Sequence, residues 1–269
     1  MSFSMENVQK GAVSKPRKVI IYGPPKLGKS TLAASAINSL MIPTEDRVSH
    51  IACDKAPVIQ NYSEITDIFD FLLKDKKHGY KRVIIDSLDW TEPLLHKHIC
   101  EKKGYSSLTD DHHKDTAFQK GLKYVAVEGW KGFLHNLDVM RDSGFDVIVV
   151  AHSHNITIHP PDSDPYDKSV MKIDKNALAV VEEWADVIAF YDKEVFVTRD
   201  EKSLQKKGKA VTTNKRILHL SGINPSMLNG NSFGLPDAEV VLEHCSDIME
   251  WLLTENMNIK IKPTKKEGK

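Results

Sequence analysis

The chain predicts an α/β fold, a parallel sheet covered by helices on both faces, with a small antiparallel extension and a helix at its C-terminal end. Three observations lead there. The apolar run Val19-Ile20-Ile21-Tyr22 runs into Gly23-Pro24-Pro25-Lys26-Leu27-Gly28-Lys29-Ser30-Thr31, and Leu32 to Ile37 follows with helical character. Further short β-branched runs alternate with amphipathic stretches as far as Tyr191. Such alternation builds a parallel sheet buried on both sides. Beyond Tyr191 the pattern changes to neighbouring strand-like segments and one last amphipathic stretch.

The Gly23–Thr31 segment fits the phosphate-loop pattern G-x-x-x-x-G-K-[ST] in the context that the pattern requires, strand before and helix after. The residue types have chemical reasons. Gly23 and Gly28 let the backbone turn so that successive N–H groups face a phosphate. Lys29 supplies charge to the β- and γ-phosphates, and the Ser30 hydroxyl can ligate Mg²⁺. A nucleoside triphosphate and Mg²⁺ are therefore the expected ligands.

Whole-chain properties narrow the field. With 269 residues, this is one large domain or two small ones, and it buries roughly three quarters of its unfolded surface without staples. The expected division is a flexible stretch at 1–15, a single domain at 16–255 with accessory strands near 193–220, and a basic tail at 256–269. Thirty-seven basic residues balance thirty-seven acidic ones, which excludes a uniformly basic nucleic-acid coat but not a local patch. Three scattered cysteines, Cys53, Cys100 and Cys245, point to free thiols in a reducing compartment. No long apolar run or signal pattern is seen, so a cytoplasmic protein without a membrane partner is expected.

In chain order, the helix after the phosphate loop is expected to run to Met41-Ile42 and stop at Pro43. Val48 to Cys53 reads as the second strand, with Asp54 at its carboxyl end. Glu64 to Lys74 has the apolar spacing of a helix. Arg82 to Ser87 reads as a buried strand ending in Asp86, a carboxylate suited to Mg²⁺ (the Walker B pattern), with strand capping as the alternative. Trp90 to Lys103 reads as a helix, Gly104 to Lys120 as a polar loop, and Leu122 to Met140 as a long amphipathic helix. Asp146 to Ala151 is a third strongly apolar strand, ending at His152. A loop at Pro160–Asp167, a helix at Asn176–Trp184 and a strand at Val187–Tyr191 come next. Val195–Thr198 and Ala210–Leu220 read as antiparallel strands around a basic loop, Glu201–Lys209. Asp237–Leu253 reads as the last helix. Lys29, Asp54, Asp86 and His152 all fall near carboxyl ends of strands, where α/β sheets bind ligands.

The ordered segments GPPKLGKST, VIIDSLDW, FQKGLKY, VIVVAHSH, EEWADVIAF and NGNSFGLPD resemble the phage RecA-like AAA-type ATP-binding family, which includes the Sak-type single-strand annealing ATPases. The resemblance spans Lys18 to Leu253. It implies a RecA-like core with an extra strand between the phosphate-loop strand and the Asp86 strand. It implies ATP hydrolysis, action on single-stranded DNA in phage recombination, a single-strand binding protein as partner, and a ring or filament of identical chains. It also gives His152 the γ-phosphate sensor position, with a hydrogen-bonded strand-capping His as the alternative.

One departure stands out. The family places a Glu after the second strand to orient the attacking water, and Ile51 to Ala56 holds none. Asp54 is the substitute there, or else a turn acid; without such a base, hydrolysis would be slow or depend on another subunit. DNA contacts are expected on Ser153–Ser169, on the cluster Lys202, Lys206, Lys207, Lys209, Lys215 and Arg216, or on the tail lysines 260, 262, 265, 266 and 269. Solvated lysines are the alternative for both basic groups. His96 and His98, two apart on a helix, do not share a face, and His112-His113 lies in an acidic loop, which leaves zinc as a minor alternative. A finger supplied by a neighbouring chain would be Arg199, Lys215 or Arg216. The contrasting function is a nucleotide-switched assembly module with no annealing activity; a motor is a weaker third.

Overall fold

The computed structural model describes residues 13–198 and 209–254, together with Val8 and Gly11. Strand β1 is Lys18–Gly23, and all six of its residues are buried. Its side chains alternate between two cores: Ile20 and Tyr22 join one, Val19 and Ile21 the other. The apolar run Val19–Tyr22 thus faces a core on both sides of the sheet, as expected for a central parallel strand.

Helix α1 covers only Lys29–Ala34, and β2 follows at Ser39–Pro43. This corrects the expected long helix and displaces the second strand from Val48–Cys53. The cause is local and tertiary. The Ser35 hydroxyl donates back to the Leu32 carbonyl at 2.6 Å, which competes with the helix ladder. Asn38 then takes a left-handed backbone, φ 55°, a conformation that Asn tolerates better than most residues. Leu40, Met41 and Ile42 pair in parallel with Val83, Ile84 and Ile85, so strand pairing overrides a sequence that also suits a helix.

The remaining elements are α2 (Tyr62–Lys74), β3 (Arg82–Asp86), α3 (Leu88–Lys103), α4 (Val127–Asp142), β4 (Asp146–Ile158), β5 (Tyr166–Met171), α5 (Lys175–Trp184), β6 (Val187–Thr198), β7 (Lys209–His219), β8 (Gly230–Asn231), β9 (Ala238–Val240) and α6 (Cys245–Thr254). A π-helical turn at Gly121–Ala126 leads into α4. The sheet order is β2-β3-β4-β1-β6-β7-β9, with β5 beside β4 and β8 beside β6. From β2 to β6 every neighbour is parallel. Strand β4 lies between β1 and β3, so the phosphate-loop strand and the Asp86 strand are separated by one strand, as the resemblance implies. The C-terminal extension, β7 and β9, is antiparallel.

Residues from α2, α3, α4 and α5 cover one face around Trp130, Phe133 and Leu137, all fully buried. Residues from α1 and α6 cover the other, around Leu32, Trp251 and Leu252. Each such side chain contributes about 1.5–3 kcal/mol on burial, which keeps the sheet in register.

Three other expectations change. The supposed loop at Ser153–Ser169 is a hairpin, in which β4 runs past the sheet and pairs antiparallel with β5 from Ser153–Met171 to Ile158–Tyr166; the residues between the strands, 159–165, turn the chain. Val187–Tyr191 and Val195–Thr198 are one strand, β6, with an irregularity between Lys193 and Val195. Asp237–Leu253 is not one helix but β9, a short 3₁₀ turn at Leu242–His244, and α6. Asp237 caps the end of β7, accepting from the N–H groups of Leu220 at 2.7 Å and Ser221 at 2.9 Å. Burial opposes its charge, but the His219 ring and those two N–H groups outweigh it and hold the carboxyl well below the usual range. Asn231 folds the NGNSFGLPD segment: its amide donates to the carbonyls of Leu220 and Leu235 and its oxygen accepts from the N–H groups of Phe233 and Leu235.

Arg199, Lys202, Lys206, Lys207 and the tail lysines lie outside the described residues, as do most of residues 1–15. Among the described residues no helix is long and apolar enough to cross a membrane. Nor do any three His, Cys, Asp or Glu among them form a group that could hold a metal ion.

Candidate nucleotide site

The phosphate loop begins where β1 ends. Gly23 is a glycine for want of room: a Cβ there would lie 2.1 Å from the Tyr191 carbonyl oxygen. Gly28 takes φ 92°, the left-handed region that favours glycine, and turns the chain into α1. Lys29 is 5% exposed, and its ammonium donates to the carbonyls of Gly23 at 3.0 Å and Pro24 at 2.8 Å. Burial lowers its pKa, while the charges of Asp86, Asp89 and Glu45 work in the opposite direction.

A cleft of about 400 Å³ opens over the loop. Pro25, Lys26, Gly28, Lys29, Ser30 and Thr31 line one wall, and Glu45, Asp86 and His152 are among the residues opposite. The parallel register explains why they meet: Gly23 pairs with His152, and Asp86 pairs with Val150 one strand further on. Gly23, Pro24 and Leu27 belong to the loop without lining the cleft.

Asp86 is 1% exposed and its Oδ2 has no hydrogen-bond partner. Burial pushes its carboxyl up to about 6; the Ser30 hydrogen bond, Lys29 and His152 work against that rise and Glu45 adds to it. A buried carboxylate with one oxygen unpaired, beside a hydroxyl, is a donor set that fits a hard cation such as Mg²⁺.

His152 is held by Asp89, from the first turn of α3. The His152 backbone N–H donates to Asp89 Oδ1 at 3.0 Å, and its ring Nδ1 lies 2.9 Å from Asp89 Oδ2. Burial disfavours the Asp89 charge, but these two contacts outweigh it and hold the carboxyl below its usual range. With Nδ1 committed, Nε2 is the nitrogen left for the cleft.

Asp54 does not join this group. Its carboxylate accepts from the Tyr80 hydroxyl at 3.1 Å, beside Asn38 and Ser39, at the opposite, amino end of β2 and β3. The acid that does enter the cleft is Glu45, two residues past the end of β2. Its neighbour Thr44 fixes it there. Thr44 N–H donates to the Asp86 carbonyl at 2.7 Å, and its hydroxyl both donates to the Ser87 carbonyl and accepts the Ser87 N–H, each at 2.9 Å. The Glu45 side chain is 9% exposed, and the exposed Arg47 stands 3.9 Å away. The missing Glu follows directly from the misplaced second strand: once Ser39–Pro43 is the strand, Glu45 occupies the position after it. The apolar triplet Leu40-Met41-Ile42 before Pro43 was the available signal.

Of the finger candidates that are described, Lys215 pairs with Glu239 at 3.7 Å. Arg216 instead reaches its own chain's phosphate loop, with Nη1 3.7 Å from where a Cβ on Gly28 would sit.

Three solved structures illustrate what the fold is similar to. The RadB recombinase overlaps with TM-score 0.39 at 15% identity, over 81% of this chain and 91% of that one. The KaiC-like protein PH0186 from Pyrococcus horikoshii OT3 gives 0.39 at 14%, over 82% and 92%. The flagellar accessory protein FlaH from Methanocaldococcus jannaschii gives 0.35 at 11%, over 78% and 79%. Likeness at this level assigns no residue, and the site above stands on its own geometry. Comparison with curated proteins finds no match. The family model AAA_24, described as an AAA domain, matches residues 15–224, and the chain belongs to that family of ATPase domains.

Proposed function

We propose that this chain binds Mg-ATP over the Gly23–Thr31 loop, hydrolyses it, and uses the cycle to bind single-stranded DNA and promote strand annealing in phage recombination. The observation that carries the nucleotide part is the convergence of Lys29, Ser30, Asp86 and Glu45 on one cleft. Lys29 exchanges its two loop carbonyls for phosphate oxygens. Ser30 and Asp86 would hold Mg²⁺, which supplies charge neutralisation at the β- and γ-phosphates. Glu45 orients a water and takes its proton as the water oxygen bonds to the γ-phosphorus. The bond from that phosphorus to the β–γ bridging oxygen breaks, and ADP keeps the electron pair. His152, steadied by Asp89, reads whether the γ-phosphate is present, and β4 carries that state into the β4–β5 hairpin.

Support for DNA comes from the resemblance and from one exposed stretch. Phe118 is 88% exposed on a left-handed backbone, φ 56°, and Tyr124 is 57% exposed beside Lys123. Exposed Lys120 and Lys123 lie on the same short segment. Aromatic rings interleaved with lysines suit stacked bases and a phosphate backbone. A chain of this kind is expected to work as a ring or filament in the cytoplasm, alongside a single-strand binding protein.

A second reading has its own observation. The hairpin turn and its flank carry exposed Asp162, Asp164 and Asp167, which repel phosphate and suit a protein partner. There ATP would switch assembly, without annealing. Complementary labelled strands mixed with the protein, with and without Mg-ATP, separate the two. ATP-dependent annealing that is lost in Phe118→Ala/Tyr124→Ala supports the first; ATP-dependent assembly with no annealing overturns it.

A further inference from the structure

Strand β7 alternates its side chains across the sheet, and Lys215 and Arg216 therefore part company. Lys215 finds Glu239. Arg216 lies on the same face as Leu218, which packs with the α1 and α6 residues. It is half-buried there, it approaches the Tyr191 hydroxyl as a hydrogen-bond donor, and its charge is felt by that hydroxyl and by the Cys245 thiol. Tyr191 is the residue whose carbonyl presses against Gly23. The guanidinium thus stands between the end of β6 and the phosphate loop, 3.7 Å from the Cβ position of Gly28. Among the described residues no carboxylate lies within ion-pair distance of it, although each of the other described arginines does have an acid or an aromatic ring in contact.

A half-buried arginine without an acid is costly to hold unless a ligand supplies the counter-charge. The neighbouring phosphate loop is where this chain would carry an anion. The absence of a side chain at Gly28 leaves the gap between them clear, and five N–H donors in a planar fork match phosphate oxygens. We propose that Arg216 binds the phosphates of the nucleotide held by its own chain, acting in cis rather than as a finger offered to a neighbour. This rests on the Mg-ATP reading above. It makes β7, and with it the antiparallel extension, sensitive to nucleotide.

The test uses the full chain. Arg216→Ala and Arg216→Lys are compared with wild type for Mg-ATP affinity by calorimetry, across protein concentrations from the micromolar range downward. Loss of charged hydrogen bonds to phosphate is expected to weaken binding about tenfold to a hundredfold in Arg216→Ala. Arg216→Lys should recover part of it, and the defect should persist on dilution. Turnover is then measured in mixtures of Arg216→Ala with Lys29→Ala. In cis, no mixture exceeds the sum of its parts. Recovered turnover in the mixture would overturn the proposal, since it requires an Arg216 working in a neighbour's site; so would wild-type affinity in Arg216→Ala. If Arg216→Ala does not fold, Arg216→Gln gives the same readout. Failure of wild type itself to bind Mg-ATP would sink the nucleotide reading, a separate outcome.

Discussion

Replacing Glu45 by Gln probes the site at its most informative point. The substitution keeps the shape of a side chain that is 9% exposed and removes its charge and basicity. Loss of a positioned general base slows the chemical step by about 10²–10⁴. At 1.36 kcal/mol per tenfold, that raises the barrier by about 3–5 kcal/mol. Binding should respond differently. Burial is the main reason that the Asp86 carboxyl sits near 6, and Glu45's like charge adds to it. Removing that charge makes Asp86 easier to ionise, so Mg-ATP affinity should hold or rise. Single-turnover phosphate release gives the rate and equilibrium titration gives the affinity. Asp54→Asn is the control; its carboxylate meets Tyr80 at the far end of the strands, so it should leave both unchanged. Wild-type turnover in Glu45→Gln, or an equal collapse in Asp54→Asn, would refute the assignment.

Three further outcomes are expected. Gly23→Ala sets a Cβ 2.1 Å from a backbone oxygen, so the loop or β6 must shift; a cost of about 2 kcal/mol, or 4–8 °C in Tm, should accompany lost ATP binding. Asp89→Ala strips His152 of its two hydrogen bonds; turnover should fall while nucleotide affinity is kept, with a stability loss of about 1–3 kcal/mol by denaturant titration. Asp237 has a folded pKa below its unfolded one. Its contribution is therefore fully present above the ordinary carboxylate range and is lost progressively as pH falls from that range towards its depressed folded pKa, a dependence that Asp237→Ala should flatten in acid melts carried below the ordinary carboxylate range.

The sequence was most readable where one residue type has one use. Gly23, Gly28, Lys29 and Ser30 match the residue types that a phosphate cradle calls for, and Asp86 stands at the last position of an apolar strand. The cleft brings Lys29, Asp86 and His152 together as the strand ends suggested. What failed was the choice between helix and strand over Leu40-Met41-Ile42. A short apolar run suits either, and only pairing with Val83–Ile85 decides it. That single error moved the second strand, hid Glu45 and promoted Asp54. Asp89 was hidden for another reason: its partner, His152, lies 63 residues away. The hairpin from β4 was hard to read because its strands are mostly polar and only Val170 and Met171 are fully buried, so the alternation of Ile156 and Ile158 with Asn155 and Thr157 is too short to stand out.

The central claim is tested most directly by measuring Mg²⁺-dependent ADP release from the purified full chain, wild type against Lys29→Ala. The account predicts turnover that requires Mg²⁺ in wild type and none above background in Lys29→Ala, which keeps its fold. Equal turnover in the two proteins, or turnover indifferent to Mg²⁺, would contradict it.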